Sequence, residues 1–262
     1  MSKVAVISGA SGGIGDACAR RFSAGGYKVY NLSRTPSAAE GVTSIVCDVT
    51  DEERVTSALA EVHEREGKID LVLANAGFGI SGAVEFTEDS DAKRQMDVNF
   101  FGAFHLVKNS LPYLRETKGR VMAVSSAAAI FSIPFQSFYS ASKAALASLM
   151  CATANEVRRF GVQAGYVQLG DVKTNFTAAR QKVHRGDDVY GGAITRSVSV
   201  MERDEQSGMS PETIANAVFR LMTKKKMPLK TTVGAWYKLL AGLARVLPLS
   251  FQNFVIGKMY IK

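Results

Sequence analysis

The chain of 262 residues is 47% hydrophobic and 21% charged, has a formal net charge of +8, and contains 6 Pro and 3 Cys. This composition excludes long-range disorder, collagen-like repeats and a disulfide scaffold, because apolar residues are plentiful while Pro and Cys are few. The positive charge is compatible with nucleic acid, an anionic membrane surface or phosphate-bearing ligands. There is no zinc-finger spacing and no aromatic RNA-binding signature, so nucleic acid is not a predicted partner.

The cysteines and the N-terminus indicate the compartment. Cys18, Cys47 and Cys151 are widely separated and form no CxxC pair, which favours a reducing environment. The first apolar stretch leads directly into a strand pattern and is too short for the core of a signal peptide. No uncharged apolar run reaches the roughly 18 residues of a membrane span. We therefore predict a cytoplasmic protein, with association at a membrane surface as an alternative that depends on the C-terminal tail.

Short apolar segments alternate with longer helical patterns along the chain. The predicted strands, which are rich in Val and Ile, cover residues 4–8, 28–33, 43–48, 71–75, 119–125 and 163–169. The predicted helices cover residues 14–24, 52–66, 91–114, 136–160 and 211–223. This alternation predicts an α/β fold with a parallel, doubly wound sheet, in one domain spanning residues 1–262. In such sheets ligands bind beyond the carboxyl ends of the strands.

The first predicted strand leads into a glycine-rich turn and then a helix. Residues 9–15 read Gly-Ala-Ser-Gly-Gly-Ile-Gly. Glycine permits a tight turn and a close approach of the backbone to a phosphate, and the helix N-terminus after it offers free N–H groups. The turn therefore predicts a pyrophosphate site, with a tight turn that binds nothing as the alternative. No Gly-Lys-Ser/Thr follows, which excludes a P-loop.

The second predicted strand ends at Ser33, which Arg34 follows. Dinucleotide sites usually have an acid at this point when the adenosine ribose has a free 2′-hydroxyl. A carboxylate would repel a 2′-phosphate, whereas a guanidinium pairs with it. Ser33 and Arg34 therefore favour NADP(H) over NAD(H), and an unpaired surface arginine is the alternative.

Three polar residues form a candidate acid–base site. Tyr139 and Lys143 are four residues apart at the start of a predicted helix, so they share one face. A nearby ammonium favours the phenolate and brings the phenol pKa from about 10 toward neutral. Ser126, which follows the fifth predicted strand, supplies a hydroxyl that can polarise a carbonyl.

With the glycine-rich turn, these residues resemble the short-chain dehydrogenases/reductases, in their single-domain branch. The resemblance covers roughly residues 3–225, and its motifs appear in order as Ser8-Gly9-x-x-x-Gly13-Ile14-Gly15, Asp48-Val49, Asn75-Ala76-Gly77, Val98-Asn99, Ser126, Tyr139-x-x-x-Lys143 and Gly170-x-Val172-x-Thr174. Ser8 stands where the family usually has Thr, and Gly12 stands where NADP-preferring members often have a basic residue. The resemblance implies a Rossmann fold with helices on both faces of the sheet.

The resemblance also implies roles for these residues. Tyr139 exchanges a proton with the substrate oxygen, and Lys143 lowers the phenol pKa and holds the nicotinamide ribose. Ser126 orients the carbonyl, and Asn99 holds a kinked helix and a water. The catalytic residues are thus Asn99, Ser126, Tyr139 and Lys143. The cofactor-binding residues are Gly9, Ser11, Gly13, Ile14, Gly15, Ser33, Arg34, Asp48, Val49, Asn75, Ala76, Gly77, Tyr139, Lys143, Gly170, Val172 and Thr174. No metal-ligand spacing is present, and no metal is implied.

The implied activity is hydride transfer between NADP(H) and a secondary alcohol or ketone, with Tyr139 as the acid and base. The resemblance implies a lipophilic substrate of steroid, retinoid or acyl type, because family members that act on such alcohols often have a similar apolar tail. The alternative from another class is a catalytically silent sensor or scaffold that binds the cofactor. Such a protein would be expected to have lost Tyr139 or Lys143, and both are present.

Two segments lie outside the motifs. Residues 175–209 match no repeating apolar period and are predicted to form a substrate lid, with a plain surface loop as the alternative. Residues 226–262 form an apolar extension with sparse Lys and Arg, split by Pro248. This tail is predicted to form an amphipathic hairpin on a membrane or over a lipophilic substrate, a subunit contact, or ordinary packing. Family members are commonly dimers or tetramers built on the helices predicted at 91–114 and 136–160, so we expect a homo-oligomer.

Overall fold

A parallel sheet forms the centre of the protein, and the computed structural model describes it within residues 2–261. The two ends of the predicted 1–262 domain, Met1 and Lys262, lie outside the described residues. In chain order the strands are β1 (Val4–Ser8), β2 (Lys28–Ser33), β3 (Val42–Val46), β4 (Leu71–Ala74), β5 (Ile80–Ser81), β6 (Arg120–Ser126), β7 (Gln163–Leu169), β8 (Gln181–Lys182) and β9 (Lys230–Thr232). Seven of them form the central sheet in the order β3-β2-β1-β4-β6-β7-β9.

All neighbouring strands of this sheet are parallel, as the sequence predicted. The chain builds outward from β1 to β2 and β3, and then returns to the other side of β1 to form β4 and the strands beyond it. The strand order therefore reverses at β1 and β4, and the carboxyl ends of these two strands border a crevice. This is the place where ligands bind in doubly wound sheets.

Helices cover both faces of the sheet. In chain order they are α1 (Gly13–Ser23), α2 (Glu52–Glu66), α3 (Asp89–Met96), α4 (Gly102–Thr117), α5 (Ser137–Val157), α6 (Phe176–Ala179), α7 (Ala193–Gln206), α8 (Pro211–Thr223), α9 (Ala235–Leu243) and α10 (Leu249–Tyr260). Helices α2, α4 and α5 pack over one apolar cluster, and α1 and α8 pack over another on the opposite face. The predicted Rossmann architecture is confirmed.

The helix predicted over residues 91–114 is interrupted. It consists of α3 and α4 joined by a π-helical turn, Asp97–Phe101. The wide turn contains Asn99, which is fully buried and accepts a hydrogen bond from the backbone N–H of Phe78 at 2.9 Å. The bonds that Asn99 makes outside the helix stabilise the wide turn, and π-bulges of this kind recur at functional sites.

The C-terminal half contains elements that the sequence did not predict. Residues 175–209 include α6, β8 and α7, and β8 pairs in parallel with β5. Strand β9 extends the central sheet beyond β7. Helices α9 and α10, with residues 244–248 between them, form a unit that we call the C-terminal hairpin. Within residues 2–261 no helix has both the length and the apolar composition needed to cross a bilayer.

Candidate active site

One large cavity opens at the carboxyl ends of the central strands. Its volume is about 1250 Å³. All the predicted cofactor-binding residues line it, and so do the predicted catalytic residues except Asn99. Residues that are far apart in the sequence therefore meet in one crevice, where the rule for parallel sheets predicts them.

The glycine-rich turn forms a cradle at one end of this cavity. Gly13 has φ +55°, a conformation that favours glycine, and a Cβ on Gly15 would lie 2.2 Å from the carbonyl oxygen of Gly9. The N-cap of α1 is Gly12, which makes no side-chain cap bond. The first N–H groups of the helix are thus left for a ligand, and a pyrophosphate fits their charge and the space that the missing side chains leave.

Ser8 ties this turn to the end of β4. Its hydroxyl accepts hydrogen bonds from the backbone N–H groups of Asn75 and Ala76, each at 3.0 Å. The Asn75 amide in turn donates to the carbonyl oxygens of Ser8 at 3.0 Å and Gly9 at 3.2 Å. The Ser8 hydroxyl therefore holds the glycine-rich turn against the end of β4.

We expect Ser8→Ala to lower the free energy of unfolding by about 2 kcal/mol, because two N–H donors lose their acceptor. The control is Ser8→Thr, which keeps the hydroxyl and should stay close to the parent protein. Denaturant unfolding of the three proteins measures the difference. An alanine variant as stable as the parent would show that this hydroxyl does not hold the turn.

The end of β2 presents a free cation to the cavity. Arg34 is exposed, lines the cavity, and has no ion-pair partner among the described residues. Ser33 is buried, and its hydroxyl donates to the carbonyl oxygen of Thr35 at 2.5 Å. At the neighbouring strand end, the Asp48 carboxylate accepts hydrogen bonds from the N–H and hydroxyl of Thr50 at 3.0 and 2.8 Å. The Arg34 guanidinium, at the end of β2, can therefore pair with an anionic group of a ligand in the cavity.

Asn99 acts beneath the cavity rather than on its surface. Its amide donates to the Phe78 carbonyl oxygen at 3.0 Å and to the Ser142 hydroxyl at 3.2 Å. Ser142 belongs to α5 and donates to the carbonyl oxygen of Tyr139 at 2.7 Å. Asn99 thus joins the π-helical turn, the loop at Phe78 and the start of α5, which makes it a positioning residue in this structure.

Tyr139, Lys143 and Ser126 converge beside the cradle. Tyr139 is half-buried, and the Lys143 ammonium lies 5.8 Å from the centre of its ring. Lys143 is buried and donates to the carbonyl oxygen of Val124 at 3.0 Å. The Ser126 hydroxyl accepts a hydrogen bond from the Ala128 N–H at 3.1 Å, so its own proton is available to a substrate oxygen or to the phenol.

The expected lowering of the phenol pKa by Lys143 is not found in this structure. Burial raises the pKa of Tyr139 to about 12, and the interaction with Ser126 only partly opposes it. Burial also lowers the pKa of Lys143 to about 8. The two groups share a desolvated site, in which both charged forms are disfavoured. Tyr139 is accordingly a protonated donor at neutral pH.

Sequence reasoning missed the contact between the hairpin and the loop after β7. The ring of Tyr237 packs on Gly170, where a Cβ would lie 2.1 Å from a ring atom. Its hydroxyl donates to the Asp171 carboxylate, whose pKa is raised by burial. In the same segment, Val172 is buried and the Thr174 hydroxyl accepts from the Phe176 N–H at 3.2 Å. No signal in the sequence connects Tyr237 with a glycine 67 positions earlier in the chain.

The C-terminal hairpin extends the cavity into an apolar groove. Side chains from both of its helices and from the link between them line the cavity. These residues are Trp236, Leu240, Leu243, Leu247, Phe251, Val255 and Met259. Phe131 and Ile133, which follow β6, line the same cavity near Ser126. The cavity therefore joins a polar end, suited to a dinucleotide, to an apolar end suited to a hydrocarbon chain.

Comparison with known proteins agrees with this geometry. The sequence profile of the short chain dehydrogenase family matches residues 3–184. The chain is 35% identical to a 3-ketodihydrosphingosine reductase of Bacteroides thetaiotaomicron, over 98% of each chain. Its fold superimposes on a short-chain dehydrogenase from Streptomyces avermitilis with a TM-score of 0.84 and 29% identity, covering 94% of this chain and 93% of that one.

A second solved relative is the alcohol dehydrogenase from the archaeon Thermococcus sibiricus complexed with 5-hydroxy-NADP. It matches with a TM-score of 0.74 and 25% identity, covering 90% of this chain and 98% of that one. The profile covers well over half of the chain, and the curated relative spans nearly all of it. The chain therefore belongs to the short-chain dehydrogenase/reductase family of oxidoreductases.

Proposed function

We propose that this protein is an NADP(H)-dependent oxidoreductase that interconverts a long-chain, lipophilic ketone and its secondary alcohol. The observation that carries the proposal is the continuity of the cavity. It runs from the glycine cradle and Arg34, past Tyr139 and Ser126, into the apolar groove of the hairpin. A substrate with a polar reacting end and a hydrocarbon tail matches this order of surfaces.

The chain's own groups supply orientation and the proton. NADPH, when bound, supplies the hydride that reaches the carbonyl carbon. Ser126 holds the carbonyl oxygen beside Tyr139, whose hydroxyl gives its proton to that oxygen as the carbonyl is reduced. Because burial holds the Tyr139 pKa at about 12, the phenol is protonated at neutral pH. The alkoxide that forms is a strong base, so the proton transfer is favourable.

The preference for NADP(H) rests on Arg34. We expect Arg34→Ala to weaken NADPH binding about tenfold to a hundredfold and to leave NADH binding within about twofold, because a charge-assisted pair with the 2′-phosphate is lost. Fluorescence titration measures both affinities. Arg20→Ala is the matched control, since Arg20 is also exposed but pairs with Asp16 away from the cavity. Equal NADPH affinity of the parent and Arg34→Ala would contradict the assignment.

The relative from Bacteroides thetaiotaomicron is a 3-ketodihydrosphingosine reductase, and its name supports a long-chain 3-ketone as the substrate class. For a series of 3-ketones we expect kcat/KM to rise about fourfold per added CH₂ until the groove is filled. A ketone of the same length with a carboxylate at its far end is the control and should lose this gain. A rate that does not change with chain length would exclude the groove as the substrate site.

A homo-oligomer of two or four subunits and a cytoplasmic location remain our proposals. The oligomer is supported by two exposed aromatic residues on the helical segments that the family uses for subunit contact, Phe101 within residues 91–114 and Phe160 at the end of residues 136–160. The location is supported by the three cysteines, all free. Sedimentation velocity tests the assembly, and a particle of 28.2 kDa at all concentrations would contradict it.

A further inference from the structure

The outer face of the C-terminal hairpin exposes large apolar side chains to solvent. Val246 and Leu249, at the tip between α9 and α10, are each 76% exposed, and Phe254 on α10 is 60% exposed. Leu239 and Ile261 are exposed as well. None of these five residues lines the cavity. Soluble proteins rarely leave such a contiguous set uncovered unless it meets a partner or a membrane.

The C-terminal hairpin is also basic and contains no Asp or Glu. Lys238, Arg245 and Lys258 are exposed on the hairpin, and no Asp or Glu follows Glu212 in the chain. Residues 213–262 contain nine of the 32 Lys and Arg and none of the 24 Asp and Glu, which leaves residues 1–212 with 23 basic and 24 acidic side chains. The net positive charge of the protein is therefore located in its last 50 residues.

This combination fits an anionic lipid surface better than a second copy of the chain. A two-fold contact uses the same patch on both copies, so the basic residues of one hairpin would meet those of the other with no acid to pair with. A nucleic acid would satisfy the charge but not the apolar side chains. An amphipathic helical element with Lys and Arg beside large apolar residues is the type that binds in the interface of an anionic bilayer.

Part of the apolar lining of the groove is also exposed to solvent. Trp236, Leu243, Phe251 and Met259 line the cavity and are also exposed, so apolar surface is continuous from the cavity mouth to the hairpin. We propose that the C-terminal hairpin docks on an anionic membrane, with the tip at Val246 and Leu249 inserted among the lipids. The docking stands independently of the proposed function. If that function holds as well, a long-chain substrate passes from the bilayer into the groove along apolar surface.

Vesicle binding tests the docking directly. The full-length protein is mixed with vesicles of phosphatidylcholine alone or with phosphatidylglycerol added, and the bound fraction is measured by co-sedimentation. We expect binding to the anionic vesicles, weakening at high salt, and at least tenfold less binding to the zwitterionic ones. Equal binding to both compositions, or binding to neither, would overturn the proposal. A monomer–dimer equilibrium without vesicle binding would instead assign the face to a second copy and overturn it too.

Paired variants distinguish binding through the hairpin tip from binding through any exposed apolar side chain. The double variant Val246→Ser with Leu249→Ser should bind anionic vesicles at least about tenfold more weakly, because two inserted side chains are lost. The matched control is Val84→Ser with Leu229→Ser, which removes exposed apolar side chains that lie outside the hairpin and the cavity. The control should bind like the parent. Loss of binding in both variants, or in neither, would contradict docking through the tip.

A second pair of double variants distinguishes the effect of basic residues on the hairpin from the effect of the protein's net charge. Lys238→Gln with Arg245→Gln should weaken binding to anionic vesicles roughly 25-fold, at about fivefold for each basic residue. Lys224→Gln with Lys225→Gln removes the same charge near the start of β6, where Arg120 donates to the Lys225 carbonyl oxygen at 3.5 Å. That end of the sheet lies opposite the cavity, so this control should change binding little. Equal loss in both pairs would show that net charge, not the hairpin, governs binding.

Reduction of a short, water-soluble ketone distinguishes the two proposals. The docking variants should keep this activity, since their substituted residues lie outside the cavity. If they bind no vesicles but remain active, docking is supported whatever the natural substrate is. If the parent protein reduces no ketone yet binds anionic vesicles through the hairpin, the proposed function fails while the docking stands.

Discussion

Replacing Tyr139 by Phe is expected to lower kcat by about 10²- to 10⁴-fold, the contribution of a positioned proton donor, with NADPH affinity within about twofold of the parent. The change removes one hydroxyl and keeps the ring that packs 5.8 Å from Phe176. The Ser126 hydroxyl stays in place, but an aliphatic hydroxyl is a much weaker acid than a phenol and does not replace it as the proton donor. Turnover of a 3-ketone and fluorescence titration of NADPH measure the two effects separately.

Tyr113→Phe is the matched control, because Tyr113 stacks on His63 outside the cavity. It should be as active as the parent. If Tyr139→Phe also kept turnover within a few-fold, another group would be the proton donor and the mechanism would be wrong. If the parent bound NADPH but reduced no ketone, the alternative of a silent sensor would gain support, and Tyr139→Phe should then leave its function unchanged.

Lys143→Met is expected to make the protein more stable and inactive. Burial lowers the pKa of Lys143 from its ordinary 10.5 to about 8, so the folded state disfavours the charged side chain that it must hold at pH 7. The difference corresponds to about 3 kcal/mol. Loss of the hydrogen bond to the Val124 carbonyl oxygen costs about 1 kcal/mol. We therefore expect a net gain of about 2 kcal/mol in the free energy of unfolding at pH 7.

The gain in the free energy of unfolding that Lys143→Met brings is expected to decrease as the pH rises. Below about pH 8 the lysine is charged in both the folded and the unfolded chain, and the burial penalty is complete. As the pH rises from about 8 toward 10.5, the folded protein has lost the proton before the unfolded chain does, and the penalty disappears. The advantage of Lys143→Met should shrink over this range. Denaturant unfolding at pH 7 and at higher pH measures it, with exposed Lys224→Met as the control. A methionine variant less stable than the parent at pH 7 would contradict the account.

The central sheet and the polar half of the site could be predicted from the sequence for one reason. Several candidate residues stand at or just after the end of a largely buried strand, and parallel strands bring their carboxyl ends to the same edge. Ser33 and Arg34 after β2, Asn75 after β4, and Ser126 at the end of β6 therefore had to meet. Local rules of period and turn chemistry were sufficient there, because β1, β4 and β6 are largely apolar and buried.

Other features depend on contacts that no local pattern encodes. The π-helical turn at Asn99 exists because one side chain bonds the backbone of Phe78, 21 positions earlier. Helix α7 was missed because Ser197 lies on its buried face and interrupts the apolar period. Strand β9 is only three residues, Lys-Thr-Thr, and is a strand because β7 pairs with it. The pKa of Tyr139 is raised by burial, whereas the spacing to Lys143 predicted a lowered pKa, because the degree of burial at this site is not encoded in that spacing.

The proposed reaction is tested most directly by following the hydride from NADPH into the product. A long-chain 3-ketone is incubated with the protein and with NADPH that carries deuterium at the transferring position of the nicotinamide, and the product is analysed by mass spectrometry. We expect a secondary alcohol with deuterium on the carbinol carbon, formed by the parent and not detectably by Tyr139→Phe over the same time. An unlabelled alcohol, or no alcohol from a protein that binds NADPH tightly, would contradict it.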